Sequence, residues 1–150
     1  MSQARVKPIP DGYNRVQPYL IIKDCAAAIE FYKKAFGMSE RMRMTRPDGR
    51  IGHAEMQVGD SVIMMADEHS DMDAFGPEHY GGSPVSLHVY VEDCDAIYRQ
   101  ATAAGAKTVR EPADQAYGDR NAGVLDPFGY KWWLSTHVKD MTKEELEKAN

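Results

Sequence analysis

Cysteine is scarce in this sequence: 2 of the 150 residues are cysteine, Cys25 and Cys94. The first residues are polar and interrupted by proline, without the apolar stretch of a secretory leader. A disulfide framework of the kind that stabilises small secreted domains is therefore not expected. We expect both cysteines to be reduced residues that pack in the core, and we expect the protein to be cytoplasmic.

Long apolar runs and an excess of positive charge are also missing. No segment approaches the roughly 20 apolar residues that a helix needs to cross a bilayer, so no membrane partner is expected. The 18 Lys and Arg residues are outnumbered by 23 Asp and Glu residues, which gives a net charge of -5. Because nucleic-acid binding depends on basic side chains that neutralise phosphates, no nucleic-acid partner is expected either.

Hydrophobic residues make up 43% of the chain, which is enough for the core of a single domain over residues 1–150. The most informative stretch is a hairpin near the end. The residues Asp126–Gly129 suit a type I turn, with Asp first, Pro second and Gly fourth. Beyond the turn, the alternate residues Tyr130, Trp132 and Leu134 are expected to face the core. Trp133 faces the other way among polar neighbours, which indicates a cavity or an interface.

A spacing of 69 residues recurs along the chain, which is typical of a duplicated unit. The sequence therefore predicts an α+β fold. Two tandem β-α-β-β-β modules, over about residues 14–67 and 84–137, are expected to form a curved mixed sheet with helices on its outer face. The paired landmarks are Gln17 and Ser86, Asp24 and Asp93, Cys25 and Cys94, and Met64 and Trp133.

The predicted elements follow from alternation, capping residues and turns. Asp24 and Asp93 are expected to cap helices that end at Gly37 and Gly105. A short helix is expected over about residues 142–149, after a capping box that starts at Thr142. Residues 1–13 are expected to be a loosely tethered arm, and residues 67–84 and 112–120 are expected to be loops. Further strands are predicted over 16–22, 40–45, 53–58, 61–66, 85–91 and 107–110.

One face of the predicted sheet carries side chains that are polar but mostly uncharged. On the third strand, His53, Glu55 and Gln57 alternate with apolar residues that are expected to lie under the helix. On the first strand of the second module, His88 is placed in the same way. A sheet with helices on one face and such residues on the other usually curves around a ligand.

Three short motifs, Gly118-Asp119-Arg120, Asp126–Gly129 and Ser135-Thr136-His137, closely resemble those of a branch of the vicinal oxygen chelate superfamily. This superfamily includes glyoxalase I, extradiol dioxygenases, fosfomycin-resistance enzymes and bleomycin-resistance proteins, and the branch is labelled PhnB-like or glyoxalase-like. The resemblance covers about residues 14–137. It implies that two modules form a cleft, usually within a homodimer, with one metal-ligand position on the first and the last strand of each module.

The resemblance places these metal-ligand positions at Gln17, Met64, Ser86 and Trp133, and here the sequence departs from the family. Divalent metals in such sites are bound by carboxylate, imidazole or comparable donors. Met64 and Trp133 offer no such donor to a hard ion, and Ser86 offers only a weak one. We therefore expect no metal at the family's site and no other cofactor.

Glu55 and His88 are the candidate catalytic residues. Glu55 could act as a base and His88 as an acid, which is a common division of labour in acid-base catalysis. Together with His53, the two residues could instead form a relocated metal site. The structural alternative is that all three are solvated polar residues whose hydrogen bonds are satisfied by neighbours on the sheet.

The candidate ligand-binding residues lie on the polar face or beside it. Arg120 could clamp an anionic group, or it could pair with a loop carboxylate such as Asp119. Met64 and Trp133 could form a stacking platform for a ligand, or they could only fill the space of a metal. The full set is Gln17, Tyr19, His53, Met64, Ser86, Arg120 and Trp133.

The sequence thus predicts a homodimer that binds a small organic molecule in the cleft between its modules, without the family's usual metal. Whether the ligand is turned over stays open. One alternative is a lyase or isomerase of glyoxalase type that uses a relocated metal or Glu55 as its base. Another is a protein that sequesters a cationic drug, which the net negative charge permits.

Overall fold

The fold consists of two four-stranded sheets, each with one long helix, and a short C-terminal helix. The structure is a computed structural model that describes residues 5–149. The first module contains β1 (Tyr19–Ile22), α1 (Cys25–Phe36), β2 (Ser39–Thr45), β3 (Ile51–Val58) and β4 (Ser61–Asp67). The second contains β5 (Leu87–Tyr90), α2 (Cys94–Ala104), β6 (Lys107–Asp114), β7 (Asp119–Leu125) and β8 (Lys131–His137), and α3 (Lys143–Lys148) follows.

Both sheets have the same topology. The strand order is β1-β4-β3-β2 in the first sheet and β5-β8-β7-β6 in the second. In each sheet the first strand pairs in parallel with the last, and Tyr19 lies beside Met64 just as His88 lies beside Trp133. These two register pairs are again 69 residues apart, so the predicted α+β fold with two tandem β-α-β-β-β modules is confirmed.

The two long helices begin and end as predicted. The carboxylate of Asp24 accepts a 3.1 Å hydrogen bond from the backbone of Ala27, and that of Asp93 accepts one of 3.0 Å from Ala96. These bonds satisfy backbone donors that a first helical turn leaves free. Gly37 ends α1 in the left-handed conformation, with a φ of 67°. In the described part of the chain, no helix has the length and apolar character needed to cross a membrane.

A single hydrophobic core lies between the modules. Helix α1 packs on the first sheet and on α2, and α2 packs on the second sheet. The side chain of Gln100 in α2 donates a 2.7 Å hydrogen bond to the carbonyl of Lys34 in α1. The ring of Phe36 lies 4.8 Å from that of Trp132 in β8, measured between centroids. The helix-covered faces of both sheets therefore point toward one core, and their opposite faces point away from it. Cys25 and Cys94 are free and buried within this core.

The predicted hairpin turn holds the modules together. Asp126 is 3% exposed, and its carboxylate accepts hydrogen bonds at 2.9 Å from the backbone of Phe128 and Tyr130. The same carboxylate accepts from the indole of Trp132 at 2.9 Å and from the hydroxyl of Tyr32, in α1 of the other module, at 2.6 Å. Four donors thus surround a buried carboxylate that would otherwise be costly to desolvate.

The segment between the modules is more ordered than the loop predicted over residues 67–84. It contains two 3₁₀-helices, Ser70–Met72 and Pro77–Tyr80. The second packs on the hairpin turn, because a Cβ atom placed on Gly129 would lie 2.8 Å from the Cβ of Pro77. Gly129 also has a φ of 98°, which side chains rarely tolerate. This contact ties the connecting segment to the second module.

The structure corrects three predicted strand boundaries. β1 begins at Tyr19 rather than at residue 16, because Pro18 has no N–H to donate to a ladder. β5 likewise begins at Leu87 rather than at residue 85. β6 is longer than predicted and continues through Pro112 to Asp114, so the loop predicted over residues 112–120 is much shorter. Proline is tolerated there because β6 is an edge strand and its register shifts between Arg110 and Ala113.

The Asp126 carboxylate makes a testable contribution to stability. Replacing Asp126 by Asn puts two N–H groups where only acceptors fit, so at least one of the four donors loses its partner. We expect the free energy of unfolding, measured by urea denaturation, to fall by about 2–4 kcal/mol. The matched control is Asp60→Asn in the exposed turn of the first module, for which we expect little change. Equal effects of the two substitutions would contradict this account.

Candidate functional site

The polar face of the first sheet is organised around Glu55, which is only 3% exposed. Its Oε1 accepts a 2.7 Å hydrogen bond from the hydroxyl of Tyr13. Its Oε2 lies 2.9 Å from Nε2 of His53, and the guanidinium of Arg41 approaches to 3.8 Å. Burial acts to raise the pKa of Glu55, but the hydrogen bonds from His53 and Tyr13 outweigh it and the pKa is lowered. Glu55 is therefore an ionised carboxylate with both oxygens engaged.

The hydrogen bonds continue from His53 to the first strand. Nδ1 of His53 lies 2.9 Å from the hydroxyl of Tyr19, and the two ring centroids are 5.5 Å apart. Tyr19 is 47% exposed, so this chain of side chains runs from a buried carboxylate to the surface. Burial raises the pKa of Tyr19, which keeps its phenol protonated at neutral pH. The structure thus brings together three predicted site residues, Tyr19, His53 and Glu55.

The end of the N-terminal arm belongs to this site, so the prediction that the arm is only loosely tethered is wrong for Gly12 and Tyr13. Arg41 donates a 3.0 Å hydrogen bond to the carbonyl of Gly12 and stacks over the ring of Tyr13 at 4.7 Å. Together with the bond from Tyr13 to Glu55, these contacts hold the arm on the sheet. The hydrogen bond to Glu55 also raises the pKa of Tyr13. Residues 1–4 of the predicted arm lie outside the described residues.

A cavity of about 350 Å³ lies between the arm and the sheet. Ile9, Pro10 and Met64 supply apolar wall, and Gln17 lies among them. The Oε1 atom of Gln17 is buried and has no hydrogen-bond donor within residues 5–149. An unmet buried acceptor costs about 1–3 kcal/mol. Because this atom is buried, a donor in the cavity reaches it only when the Gln17 side chain turns.

The polar face of the second sheet is built around Trp133. The indole lies flat on Gly123, where an added Cβ would be 2.5 Å from Cζ3 of the ring. The guanidinium of Arg110 lies 5.0 Å from the ring centroid and the ammonium of Lys131 lies 5.8 Å from it. Trp133 is therefore half-buried under two cations, in agreement with the predicted position among polar neighbours.

The structure does not bring the candidate residues of the two modules together. His88 and Ser86 are exposed, and His88 lines a different cavity from Gln17 and Met64. Within residues 5–149, no group of three or more His, Cys, Asp or Glu side chains is placed to hold a metal ion. Within one chain, His53, Glu55 and His88 therefore do not come together as the relocated metal site that was considered as an alternative. The four family positions do not fit a hard cation either, because Met64 and the indole of Trp133 supply no suitable donor.

Arg120 is engaged in ion pairs, and its partners are not the predicted Asp119. Its guanidinium makes two hydrogen bonds to Asp95, of 2.9 and 3.1 Å, and one of 3.2 Å to Asp114. The bond from Arg120 lowers the pKa of Asp95. Asp119 instead accepts from Tyr90 at 3.0 Å and pairs with His137 at 2.8 Å. An anion at Arg120 would have to compete with two carboxylates.

Sequence reasoning missed Tyr13, Arg41 and Arg110. No periodicity marks Tyr13, because it lies in an arm without regular structure. Arg41 occupies a β-bulge between Glu40 and Met42, and a bulge redirects side chains in a way that alternation does not reveal. A usable signal did exist for the arginines, since Arg110 follows Arg41 by the same 69 residues as the other landmarks.

The chain is similar to several known proteins. A family model described as the Glyoxalase/Bleomycin resistance protein/Dioxygenase superfamily matches residues 12–134. An uncharacterized protein from Mycobacterium bovis is 37% identical over 137 residues, covering 89% of this chain and 90% of the relative.

The fold of this chain is also similar to that of solved structures. TioX from Micromonospora sp. ML1 is 26% identical with a TM-score of 0.64, covering 86% of this chain and 100% of that one. The PhnB protein from Bacillus cereus has a TM-score of 0.62 at 17% identity, covering 82% of this chain and 99% of that one, and this likeness concerns the fold alone. The resemblance to the superfamily that was stated from the sequence motifs is thereby confirmed.

Proposed function

The chain belongs to the Glyoxalase/Bleomycin resistance protein/Dioxygenase superfamily, and we propose that it binds a small organic molecule on the polar faces of its sheets. The observation that carries this proposal is the cavity lined by Met64 and Gln17, whose Oε1 is buried without a partner within residues 5–149. Small-molecule sites are mostly apolar cavities of about 300–1,000 Å³ with a few placed polar groups. A cavity of about 350 Å³ suits a ligand of fragment size.

The chemistry of the cavity specifies the kind of ligand. Its walls include proline, isoleucine and methionine, so the body of the ligand is apolar. We propose that the Gln17 side chain turns toward a ligand with one hydroxyl or amine donor, which would recover a hydrogen bond that the protein alone does not make. We therefore propose an uncharged or weakly polar molecule, to which Arg15 in the wall could add a contact with an anionic group. Arg120 is already paired with Asp95 and Asp114.

We further propose that the cleft is completed in a homodimer. The outer edges of β1 and β5 have no strand partner within residues 5–149, and next to them Val16 and Val85 are 81% and 67% exposed. A two-fold axis that places β1 of one copy beside β5 of the other covers both edges. The same arrangement sets the Glu55 face of one copy opposite the Trp133 face of its partner. This would form the cleft that a single chain leaves open.

Binding in this cleft is proposed to need no metal. The positions that the family uses carry Gln17, Met64, Ser86 and Trp133, which lack the donors of a divalent site. Direct base catalysis by Glu55 is disfavoured, because both of its oxygens accept hydrogen bonds and its pKa is lowered. The charge on the second face does not favour a cationic drug, since Arg110 and Lys131 flank Trp133.

The first prediction concerns the cavity. The probe is phenol, and the control compound is toluene, which has the same ring but no hydrogen-bond donor. We expect both compounds to shift the NMR signal of the Met64 methyl group, and phenol to bind more tightly by about 1 kcal/mol. The substitution Gln17→Leu should remove this preference and leave toluene binding unchanged. The exposed Met72 serves as the internal control. If Met64 responds no more than Met72, the cavity is not a binding site.

The second prediction concerns the metal. After incubation with nickel, zinc, manganese or iron and subsequent desalting, we expect elemental analysis to find far less than one ion per chain. The donor chemistry of the four family positions is the reason. A retained ion at about one per chain would falsify the metal-free proposal.

The third prediction concerns the dimer. Light scattering at micromolar concentration should give the mass of two chains for the wild type. The double substitution Val16→Asp and Val85→Asp should give the mass of one chain, because it places charges at both proposed contact edges. Val138→Asp, at another exposed valine, is the control and should stay dimeric. A wild type that is monomeric under these conditions contradicts the shared cleft.

A further inference from the structure

The hydrogen bonds that connect Tyr13, Glu55, His53 and Tyr19 have a fixed donor-to-acceptor direction. Glu55 is an ionised carboxylate and can only accept, so Tyr13 must donate to its Oε1 and Nε2 of His53 must carry a proton for its Oε2. When the imidazole is neutral, Nδ1 is then an acceptor, and it receives the hydroxyl proton of Tyr19 over 2.9 Å. The chain therefore runs from the Tyr19 hydroxyl through His53 to Glu55.

Tyr19 is the exposed end of this chain and lies beside the cavity. It is 47% exposed, whereas Glu55 at the other end is 3% exposed. Tyr19 is also the register partner of Met64, whose side chain lines the cavity. A molecule that approaches this end of the chain from solvent meets Tyr19, whereas Glu55 is shielded.

The partner of the hydroxyl distinguishes Tyr19 from other tyrosines in the protein. Tyr13 and Tyr90 donate directly to carboxylates, and this hydrogen bond is the main cause that raises the pKa of each. The pKa of Tyr19 is raised as well, but mainly by burial. Tyr19 donates to an imidazole, which can accept a proton. The resulting imidazolium would lie against the carboxylate of Glu55 at 2.9 Å. Of these three tyrosines, Tyr19 is the one whose hydrogen-bond partner can take its proton during a reaction.

We propose that Tyr19, His53 and Glu55 form a proton relay that activates the Tyr19 hydroxyl as a nucleophile toward an electrophilic carbonyl compound. In the step, the Tyr19 oxygen forms a bond to the carbonyl carbon as its proton passes to Nδ1 of His53. With an ester, the bond from the carbonyl carbon to the leaving oxygen breaks, and the leaving group departs with the electron pair. Tyr19 and His53 touch the reacting atoms, and Glu55 and Tyr13 are positioning residues.

This proposal goes beyond ligand binding and can fail without it. It concerns the reactivity of one hydroxyl, which a simple acyl donor can measure without knowledge of the natural ligand. The probe is 4-nitrophenyl acetate, which transfers its acetyl group and releases 4-nitrophenolate. Acetylation of each tyrosine is followed over time by peptide mass spectrometry. Tyr117 is the matched control, since it is 42% exposed and its hydroxyl has no hydrogen-bond partner within residues 5–149.

We expect Tyr19 to be acetylated about ten-fold or more faster than Tyr117, a modest share of what a positioned base contributes. His53→Gln should reduce the rate at Tyr19 to that of Tyr117 and leave Tyr117 unchanged. Tyr19→Phe should remove the fast phase of nitrophenolate release. If Tyr19 in the wild type reacts no faster than Tyr117, the relay does not activate it and the proposal is overturned, whatever the variants do.

The role of Glu55 is tested separately by the tautomer of His53. In ¹⁵N NMR spectra of the wild type, we expect the proton of the neutral ring on Nε2. Glu55→Gln should populate the other tautomer and slow acetylation of Tyr19, because an amide does not hold the proton in place. A purely structural role for Glu55 would leave the tautomer unchanged. A wild-type His53 with its proton on Nδ1 would overturn the direction of the relay.

Discussion

The buried carboxylate of Asp126 is the interaction on which the arrangement of the two modules depends. Two of its donors belong to its own turn, one is the indole of Trp132 and one is the hydroxyl of Tyr32 in the other module. Burial raises the pKa of Asp126, which shows how much the desolvated charge depends on these donors. The aromatic core between the modules can form only where the carboxylate finds all four. The geometry of the turn and the packing of the two modules therefore depend on the same carboxylate.

The duplicated framework supports two different surfaces at equivalent places. In the first sheet, Glu55 is the register partner of Met64, and in the second, Gly123 is the partner of Trp133. A carboxylate beside a thioether leaves room for a cavity and a hydrogen-bonded chain. A glycine under an indole leaves room only for the ring itself. Since both faces point away from the shared core, their difference has no cost for the packing that holds the modules together.

The sequence predicted the fold well because the signals for it are local. Alternation in β3, the caps at Asp24 and Asp93 and the turn at Asp126 each act within a few residues. It predicted the site less well. Tyr19, His53 and Glu55 were found because alternation placed two of them on one strand face. The contact from Tyr13 spans 42 residues, and the ion pair from Arg120 to Asp95 spans 25. No local pattern encodes such partners.

The hydrogen bonds and ion pairs on the two faces change the roles that the sequence predicts for the candidate residues. From the sequence, Glu55 is attractive as a base because it is a carboxylate on a cavity face. In the structure, hydrogen bonds from Tyr13 and His53 lower its pKa, which makes it a weak base but a good orienting group. The reactive group that we propose is therefore the hydroxyl of Tyr19, which is connected to Glu55 through His53. A buried carboxylate with both oxygens engaged acts through its partners, and the exposed end of the chain is where a ligand meets it.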